Sequence, residues 1–286
     1  MNTKTTFLIS ALAAASISSV SAATVAYWEF DNGDILDNAT GTTTYDLTQS
    51  GSGYTGSATN LVSPVPNPDA SAGAVNGGSI SSTGAGSSYF AAGAGSRSAL
   101  NLNGTSWTFE GWLNTPSIVA FDPIVNTRGG AGGDGILFDV RTVSSQQVFN
   151  LFIDARGGTG SGSAAGSASD TVFQDVLAPV GSTFHFALTY DGSNDFELFV
   201  DGVSKGTHTT ALNLSHVDSG DTTVFELLGR SGDTDGSLGG TADEFRLSDT
   251  VLTSSQFLNA VAVPEPSAAA LIGLAGFGLL LRRRRN

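Results

Sequence analysis

Cysteine is absent from the sequence, and histidine is scarce. The lack of cysteine excludes a disulfide framework, thiolate zinc sites and cysteine nucleophiles together. Only His185, His208 and His216 could supply imidazole, and a metal centre or a catalytic triad would have to bring them together with carboxylates. The Gly-x-Ser-x-Gly pattern of a serine nucleophile is also missing.

Basic side chains are few as well, with 12 Lys and Arg against 26 Asp and Glu and a net charge of −14. Setting aside Lys4, Glu265 and the four arginines at 282–285 leaves 7 basic and 25 acidic side chains, or −18. Proteins that bind nucleic acid need clustered Lys and Arg to displace counterions from phosphates. DNA and RNA are therefore excluded as partners.

Glutamate is rare among the acids, with 6 Glu against 20 Asp. Asp forms turns and binds calcium, whereas Glu favours helices, so this acidity favours β-structure and loops. Apolar residues reach 40% and charged residues only 13%, which is unlike a disordered chain. About 240 residues between the termini are enough for one sizeable core.

The N-terminal residues 1–22 have the pattern of a secretory signal peptide. Lys4 is their only charge, and an apolar and Ser/Ala-rich run follows at 7–20. Val20 and Ala22 place small residues at positions −3 and −1 for cleavage before Ala23, and cleavage one residue later, after Ala23, is the alternative.

The C-terminal residues 261–286 combine a Val-Pro-Glu-Pro segment, fifteen apolar or small residues at 267–281, and four arginines. As a helix, the apolar run would span about 22 Å, which is short of a ~30 Å hydrocarbon core. The arginines would hold the C-terminus in the cytoplasm, so the body would lie outside the inner membrane.

This tail resembles the PEP-CTERM sorting signal of Gram-negative bacteria, since its three parts occur in the same order at the C-terminus. The resemblance implies an exosortase-type enzyme as partner, with Pro264, Glu265 and Pro266 as its recognition motif. It further implies delivery to the cell surface or extracellular matrix, where such proteins are linked with exopolysaccharide and biofilm. The alternative is a plain C-terminal membrane anchor.

Between the termini the sequence predicts an all-β sandwich or jelly roll. Phe184, Phe186, Leu188 and Tyr190 alternate with polar or small residues, as in a half-buried antiparallel strand. The predicted strands cover residues 24–30, 99–102, 107–113, 136–141, 147–153, 183–190, 196–201, 223–228 and 242–247. A further strand through Lys205 would complete a meander.

Three segments are nearly pure Gly, Ser and Ala, at 51–57, 71–98 and 157–169, and are expected to be surface loops. Residues 253–259 could form one short helical turn.

Four segments resemble the LamG-like branch of the concanavalin A-like lectin/glucanase superfamily. They are Val-Ala-Tyr-Trp-Glu-Phe-Asp at 25–31, Ser-Trp-Thr-Phe-Glu-Gly-Trp-Leu at 106–113, Phe-His-Phe-Ala-Leu-Thr-Tyr-Asp-Gly at 184–192 with Leu-Phe-Val-Asp-Gly at 198–202, and Ala-Asp-Glu-Phe-Arg-Leu at 242–247. The resemblance implies one domain over 23–260, a two-sheet antiparallel jelly roll whose first and last strands are neighbours.

The superfamily contains glucanases, whose retaining mechanism needs two carboxylates ~5 Å apart. The six Glu are dispersed, and no Glu-x-Asp-x-x-Glu or Glu-x-Asp-x-Glu pattern occurs. We therefore expect a non-catalytic protein that binds glycan or acts structurally in the exopolysaccharide matrix. The alternatives are a polysaccharide hydrolase or lyase, and an adhesion protein with no small ligand.

Glu110 and Trp112 are the candidate ligand-binding residues. They share a strand face with Thr108, where an indole could stack on a sugar and a carboxylate could bind its hydroxyls. The alternative is a second buried layer under a loop. Trp28 and Tyr190 are assigned to the core.

Structural calcium is the candidate cofactor. The resemblance implies a site where the first strand meets the last, which places Asp31 and Asn32 near Asp243. The Gly-Asp-Thr-Asp-Gly segment at 232–236 also resembles the start of an oxygen-ligand loop, although plain turn chemistry explains it equally.

Overall fold

A computed structural model of the chain describes most of the predicted domain. The described residues are 24–39, 45–57, 61, 77–84, 88–93, 100, 105–117, 119–128, 135–155, 168–212, 225–231 and 236–259. The predicted signal peptide, sorting motif, apolar helix, His216 and most of the 232–236 segment lie outside them. Within the described ranges no helix is long and apolar enough to cross a membrane.

The described residues form fifteen strands and one 3-10 turn, Asp31–Gly33. The strands are β1 Thr24–Trp28, β2 Leu47–Ser50, β3 Tyr54–Ser57, β4 Ser79–Thr83, β5 Tyr89–Ala92, β6 Trp107–Asn114, β7 Phe121–Asn126, β8 Gly135–Val143, β9 Gln146–Ala155, β10 Ala168–Val172, β11 Thr183–Tyr190, β12 Asp195–Val200, β13 Val203–Thr209, β14 Glu226–Leu227 and β15 Gly239–Ser248.

The strands form two antiparallel sheets. The eight-stranded sheet has the order β13-β12-β11-β6-β15-β4-β3, with β1 also paired to β15, and the seven-stranded sheet has the order β10-β9-β8-β7-β14-β5-β2. Trp28 of β1 lies opposite Phe245 of β15, so the first and last strands are neighbours. The predicted jelly-roll sandwich and its β11-β12-β13 meander are confirmed.

Aromatic side chains fill the space between the sheets. Phe245 contacts Phe109 and Phe186 edge to face, with both centroid distances 5.5 Å. Gly111 lies beneath this group, and a Cβ there would overlap the Phe245 ring. Trp28 and Tyr190 are fully buried, as their assignment to the core predicted.

All three segments expected to be loops contain strand residues, so this expectation was wrong in part. β3 lies within 51–57, β4 and β5 lie within 71–98, and β10 begins at residue 168 of the third segment. β4 is hydrogen-bonded between β15 and β3, and β5 between β14 and β2, so backbone pairing from both sides holds them in the sheets. Small side chains also allow close approach, since a Cβ on Gly33 would lie 2.7 Å from the Cα of Gly56.

Candidate functional site

The outer side of the eight-stranded sheet carries a polar layer that the chain itself covers. Alternation along β6 turns Thr108, Glu110 and Trp112 away from the core, and His185 of β11 lies opposite Trp112. Residues 249–259, the closing segment, pass over this layer. We call the layer and the closing segment together the sealed face.

Glu110 holds the closing segment to the sheet. Its Oε1 accepts hydrogen bonds from Nε and Nη2 of Arg246, with 2.8 Å to Nε. Its Oε2 lies 2.9 Å from Nε2 of His185 and accepts a 2.8 Å bond from the backbone N–H of Leu258. Arg246 also donates to the carbonyl of Gln256. Both carboxylate oxygens are therefore engaged by side chains of the sheet and by the segment above it.

Burial alone would raise the pKa of the Glu110 carboxyl, but His185, Arg246 and the Leu258 amide hold it below its ordinary value. The side chain is fully buried and has no oxygen left for a ligand. This arrangement matches the alternative of a second buried layer under a loop. Trp112 lies edge-on to His185, with ring centroids 5.1 Å apart, and its buried Nε1 has no partner among the described residues.

A second carboxyl of the sealed face behaves differently. Glu244 lies in the β15 bulge with φ of 54°, and it accepts a hydrogen bond from the Tyr27 hydroxyl. Burial raises the pKa of Glu244 to about 8. The carboxyl is therefore largely protonated at neutral pH.

The outer side of the seven-stranded sheet carries a larger polar layer, which sequence analysis missed. Ile136, Phe138 and Val140 of β8 face the core, so Asp139 and Arg141 face outward. Directly opposite residues of an antiparallel pair share a face, which places the following side chains on the same side: Phe121, Asn126, Asn150, Phe152, Asp154 and Glu226. With Arg128 and Arg230, we call this layer the arginine face.

Asp139 is the centre of the arginine face. Its two oxygens accept hydrogen bonds from Nε and Nη2 of Arg141, at 2.6 and 2.5 Å, and Asn150 donates to Oδ2 at 2.8 Å. Gln174 donates in turn to the Asn150 carbonyl oxygen. Burial raises the pKa of the Asp139 carboxyl, although Arg141 and Asn150 oppose this shift. The network fixes a planar guanidinium beside a desolvated acid.

Aromatic rings lie beneath the guanidinium groups of this face. The Cζ atoms of Arg141 and Arg230 are 5.1 and 5.5 Å from the centroid of Phe121. Phe121, Arg141 and Arg230 are half-buried, whereas Asp139 and Asn150 are fully buried. The accessible surface therefore consists of arginine and aromatic groups above a buried polar floor.

Two further pairs extend the arginine face. Arg128 donates to Asp154 at 2.9 Å and lies 4.4 Å above the Phe152 ring. Asn126 donates to Oε2 of Glu226 at 2.6 Å. Three of the five basic side chains among the described residues thus lie on one face of an acidic protein: Arg128, Arg141 and Arg230.

The carboxylates of this face are spread out. Glu226 of β14 lies opposite Asn126 of β7, which lies opposite Leu137 of β8. Glu226 is therefore two strands away from β8, and Leu137 precedes Asp139 by two residues. Strand spacing and rise place the Cα atoms of Glu226 and Asp139 about 12 Å apart. Each carboxylate is bonded to its own partners, since Arg141 and Asn150 hold Asp139 and Asn126 holds Glu226.

The candidate calcium residues are already bonded to backbone amides. Asp31 accepts from Gly77 at 2.6 Å, Asp243 accepts from Leu61 at 3.0 Å, and the Asn32 side chain lies outside the description. Among the described residues no group of three or more His, Asp or Glu side chains could hold a metal ion. A calcium ion there would need backbone carbonyls for most of its six to eight ligands, so calcium stays a prediction.

A comparison with known protein families agrees with the two-sheet architecture. Residues 84–256 fit the family model of the concanavalin A-like lectin/glucanases superfamily. The chain belongs to this superfamily. Residues 262–285 fit the PEP-CTERM protein-sorting motif, as the tail predicted. The motif indicates a secreted protein that is processed at the membrane, with an exosortase-type enzyme as the kind of partner.

Solved structures share the fold at low sequence identity. Domain 4 of AbnA, a GH43 extracellular arabinanase from Geobacillus stearothermophilus solved with arabinotriose, is 17% identical with a TM-score of 0.55, and the match covers 84% of this chain and 99% of that one. The receptor-binding domain of botulinum neurotoxin mosaic serotype C/D is 8% identical, with a TM-score of 0.48 and coverage of 82% and 49%. No curated protein sequence matches the chain.

Proposed function

We propose that this superfamily member is a non-catalytic glycan-binding protein of the bacterial surface or matrix, and that its arginine face is the binding site. The observation that carries the proposal is the half-buried Phe121 ring beneath Arg141 and Arg230, beside the buried Asp139–Asn150 pair. The exposed part of the ring can pack against the C–H side of a sugar, and the guanidinium groups fixed over the ring can donate hydrogen bonds to its hydroxyls.

The shared fold agrees with this proposal without locating the site. The AbnA domain was solved with arabinotriose, so this architecture is compatible with oligosaccharide binding in that protein. The location on the arginine face rests instead on residues of this chain, because Glu110 on the opposite sheet has both oxygens bonded within the protein.

The absence of catalysis is proposed on geometry. Asp139 is held by Arg141 and Asn150, and Asp154 is held by Arg128, so neither carboxylate is positioned to exchange a proton with a substrate.

Retention of the mature protein on immobilised arabinan, xylan, dextran and alginate tests the proposal. We expect retention on at least one polysaccharide and no release of reducing ends over a long incubation. Release of reducing ends would instead support the hydrolase alternative, and unsaturated products would support a lyase. Failure of every polysaccharide to retain the protein would favour an adhesion or structural role.

A further inference from the structure

The buried carboxylate of Glu226 is held at one oxygen only. Oε2 accepts hydrogen bonds from Asn126 at 2.6 Å and from the backbone N–H of Ser231 at 3.2 Å. Oε1 is buried and has no hydrogen-bond partner among the described residues. A buried acceptor without a donor is costly, and a carboxylate oxygen more so than a neutral one. The site therefore lacks a donor.

Small side chains stand beside Glu226 on the next two strands of the sheet. Ala91 of β5 lies directly opposite Glu226, and Thr48 of β2 lies opposite Ala91, so small side chains continue the same outward row. Ala91 is half-buried and Thr48 is exposed. Solvent therefore reaches the sheet surface within one strand of the buried carboxylate.

An aromatic side chain lies on the same side of the sheet. Alternation along β5 turns Tyr89 to the side of Ala91, and Tyr89 is half-buried. The backbone of Gly229 runs against it, since a Cβ on Gly229 would lie 2.9 Å from the Tyr89 Cβ. Tyr89 is thus placed beside the turn that carries Glu226 and Ser231.

We propose that Glu226 Oε1 is the acceptor for a ligand hydroxyl, in a second sugar subsite formed by Glu226, Ala91, Thr48 and Tyr89. This inference rests on the proposed glycan binding and extends it from the Phe121 cluster across the sheet. A hydroxyl fits better than a divalent cation, because the described residues bring no group of three acidic or imidazole side chains together. The subsite selects a neutral polyol unit, since a hydroxyl donates a hydrogen bond to Oε1 and an anionic group brings no donor.

Substitution Glu226→Gln tests the subsite, with the polysaccharide that retains the native protein as the probe. The side chain keeps its size, but its amide can no longer offer two acceptor oxygens. We expect the affinity for an oligosaccharide of that polysaccharide to fall at least ten-fold. The control Glu197→Gln, on the opposite sheet, is expected to bind like the native protein.

Monodeoxy forms of the oligosaccharide sharpen the test and need no variant. One deoxygenated position is expected to weaken binding to the native protein about ten-fold and to have little further effect in Glu226→Gln, because both changes remove the same hydrogen bond.

Equal affinity of native protein and Glu226→Gln would overturn the subsite while leaving glycan binding intact. A thermal midpoint that rises with Ca²⁺ in the native protein but not in Glu226→Gln would overturn it in favour of a cation. If no polysaccharide retains the native protein, the proposed function and the subsite fail together.

Discussion

The two outer faces of the sandwich both carry buried carboxylates beside arginine, but different groups complete their hydrogen bonds. On the sealed face, Glu110 binds Arg246, His185 and the closing segment, and every partner belongs to the chain. On the arginine face, Glu226 keeps one oxygen without a partner among the described residues. The same chemistry therefore serves stability on one side, and we propose that it serves binding on the other.

Removing the Glu110 carboxylate of the sealed face gives the largest expected effect on stability. In Glu110→Ala, Arg246 and His185 remain buried without their acceptor, and the closing segment loses its bond at Leu258. We expect a loss of about 4 kcal/mol in the free energy of unfolding, measured with denaturant. The control Glu197→Ala, half-buried on β12, should lose less than about 1 kcal/mol. Similar losses for both variants would contradict the role given to Glu110.

The raised pKa of Glu244 gives the next effect. Its value of about 8 exceeds the ordinary 4.5, so its contribution to stability is complete below pH 4.5 and is lost as the pH rises towards 8. We expect the free energy of unfolding of the native protein to fall by about 3 kcal/mol between pH 5 and pH 8. Glu244→Gln is expected to abolish this fall. Denaturant unfolding at both pH values measures it, with Glu197→Gln as the control. An unchanged slope in Glu244→Gln would show that Glu244 is ionised in the folded protein.

Substitution of Phe121 tests which of the two faces binds the ligand. Phe121→Ala removes the ring beneath Arg141 and Arg230, and we expect about a ten-fold loss of affinity, or ~1.4 kcal/mol, for the oligosaccharide that the native protein binds. Trp112→Phe, on the sealed face, should bind like the native protein. Isothermal titration calorimetry measures both affinities. A larger loss of affinity in Trp112→Phe than in Phe121→Ala would place the ligand at Glu110 and Trp112 instead.

Calcium gives the smallest expected effect. A site built on Asp31 and Asp243 would have few carboxylate ligands, so its affinity would be millimolar and 5 mM Ca²⁺ would add about 1 kcal/mol to stability. The thermal midpoint in Ca²⁺ is expected to exceed the midpoint in chelator by a few degrees, and Asp31→Asn should abolish the difference. Equal midpoints for the native protein in Ca²⁺ and in chelator would contradict the calcium prediction.

Much of the fold follows from alternation in the sequence. The β11 pattern of Phe184, Phe186 and Leu188 predicted a strand that the structure gives with the same bounds. The strands β3, β4 and β5 were missed because Gly, Ser and Ala carry no alternation signal, and neighbouring strands hold them through the backbone. β7 was missed too, and it contains Pro123, which weakens a strand pattern.

The candidate site was harder to predict than the fold. Glu110 and Trp112 share an outward face as predicted, but only the folded closing segment shows that Glu110 is covered. Asp139 and Arg141 stood at outward positions of a predicted strand, where polar residues usually face solvent. Their contacts with Asn150 and Phe121 depend on strand pairing, which local sequence does not encode.

Hydrogen–deuterium exchange of the native protein, with and without the polysaccharide that retains it, tests the central proposal most directly. Ligand binding at the arginine face should slow exchange in β7, β8 and the turn after β14. Exchange in β6 and the closing segment should stay unchanged. Protection confined to β6 and the closing segment would contradict the proposal, because it would place the ligand on the sealed face.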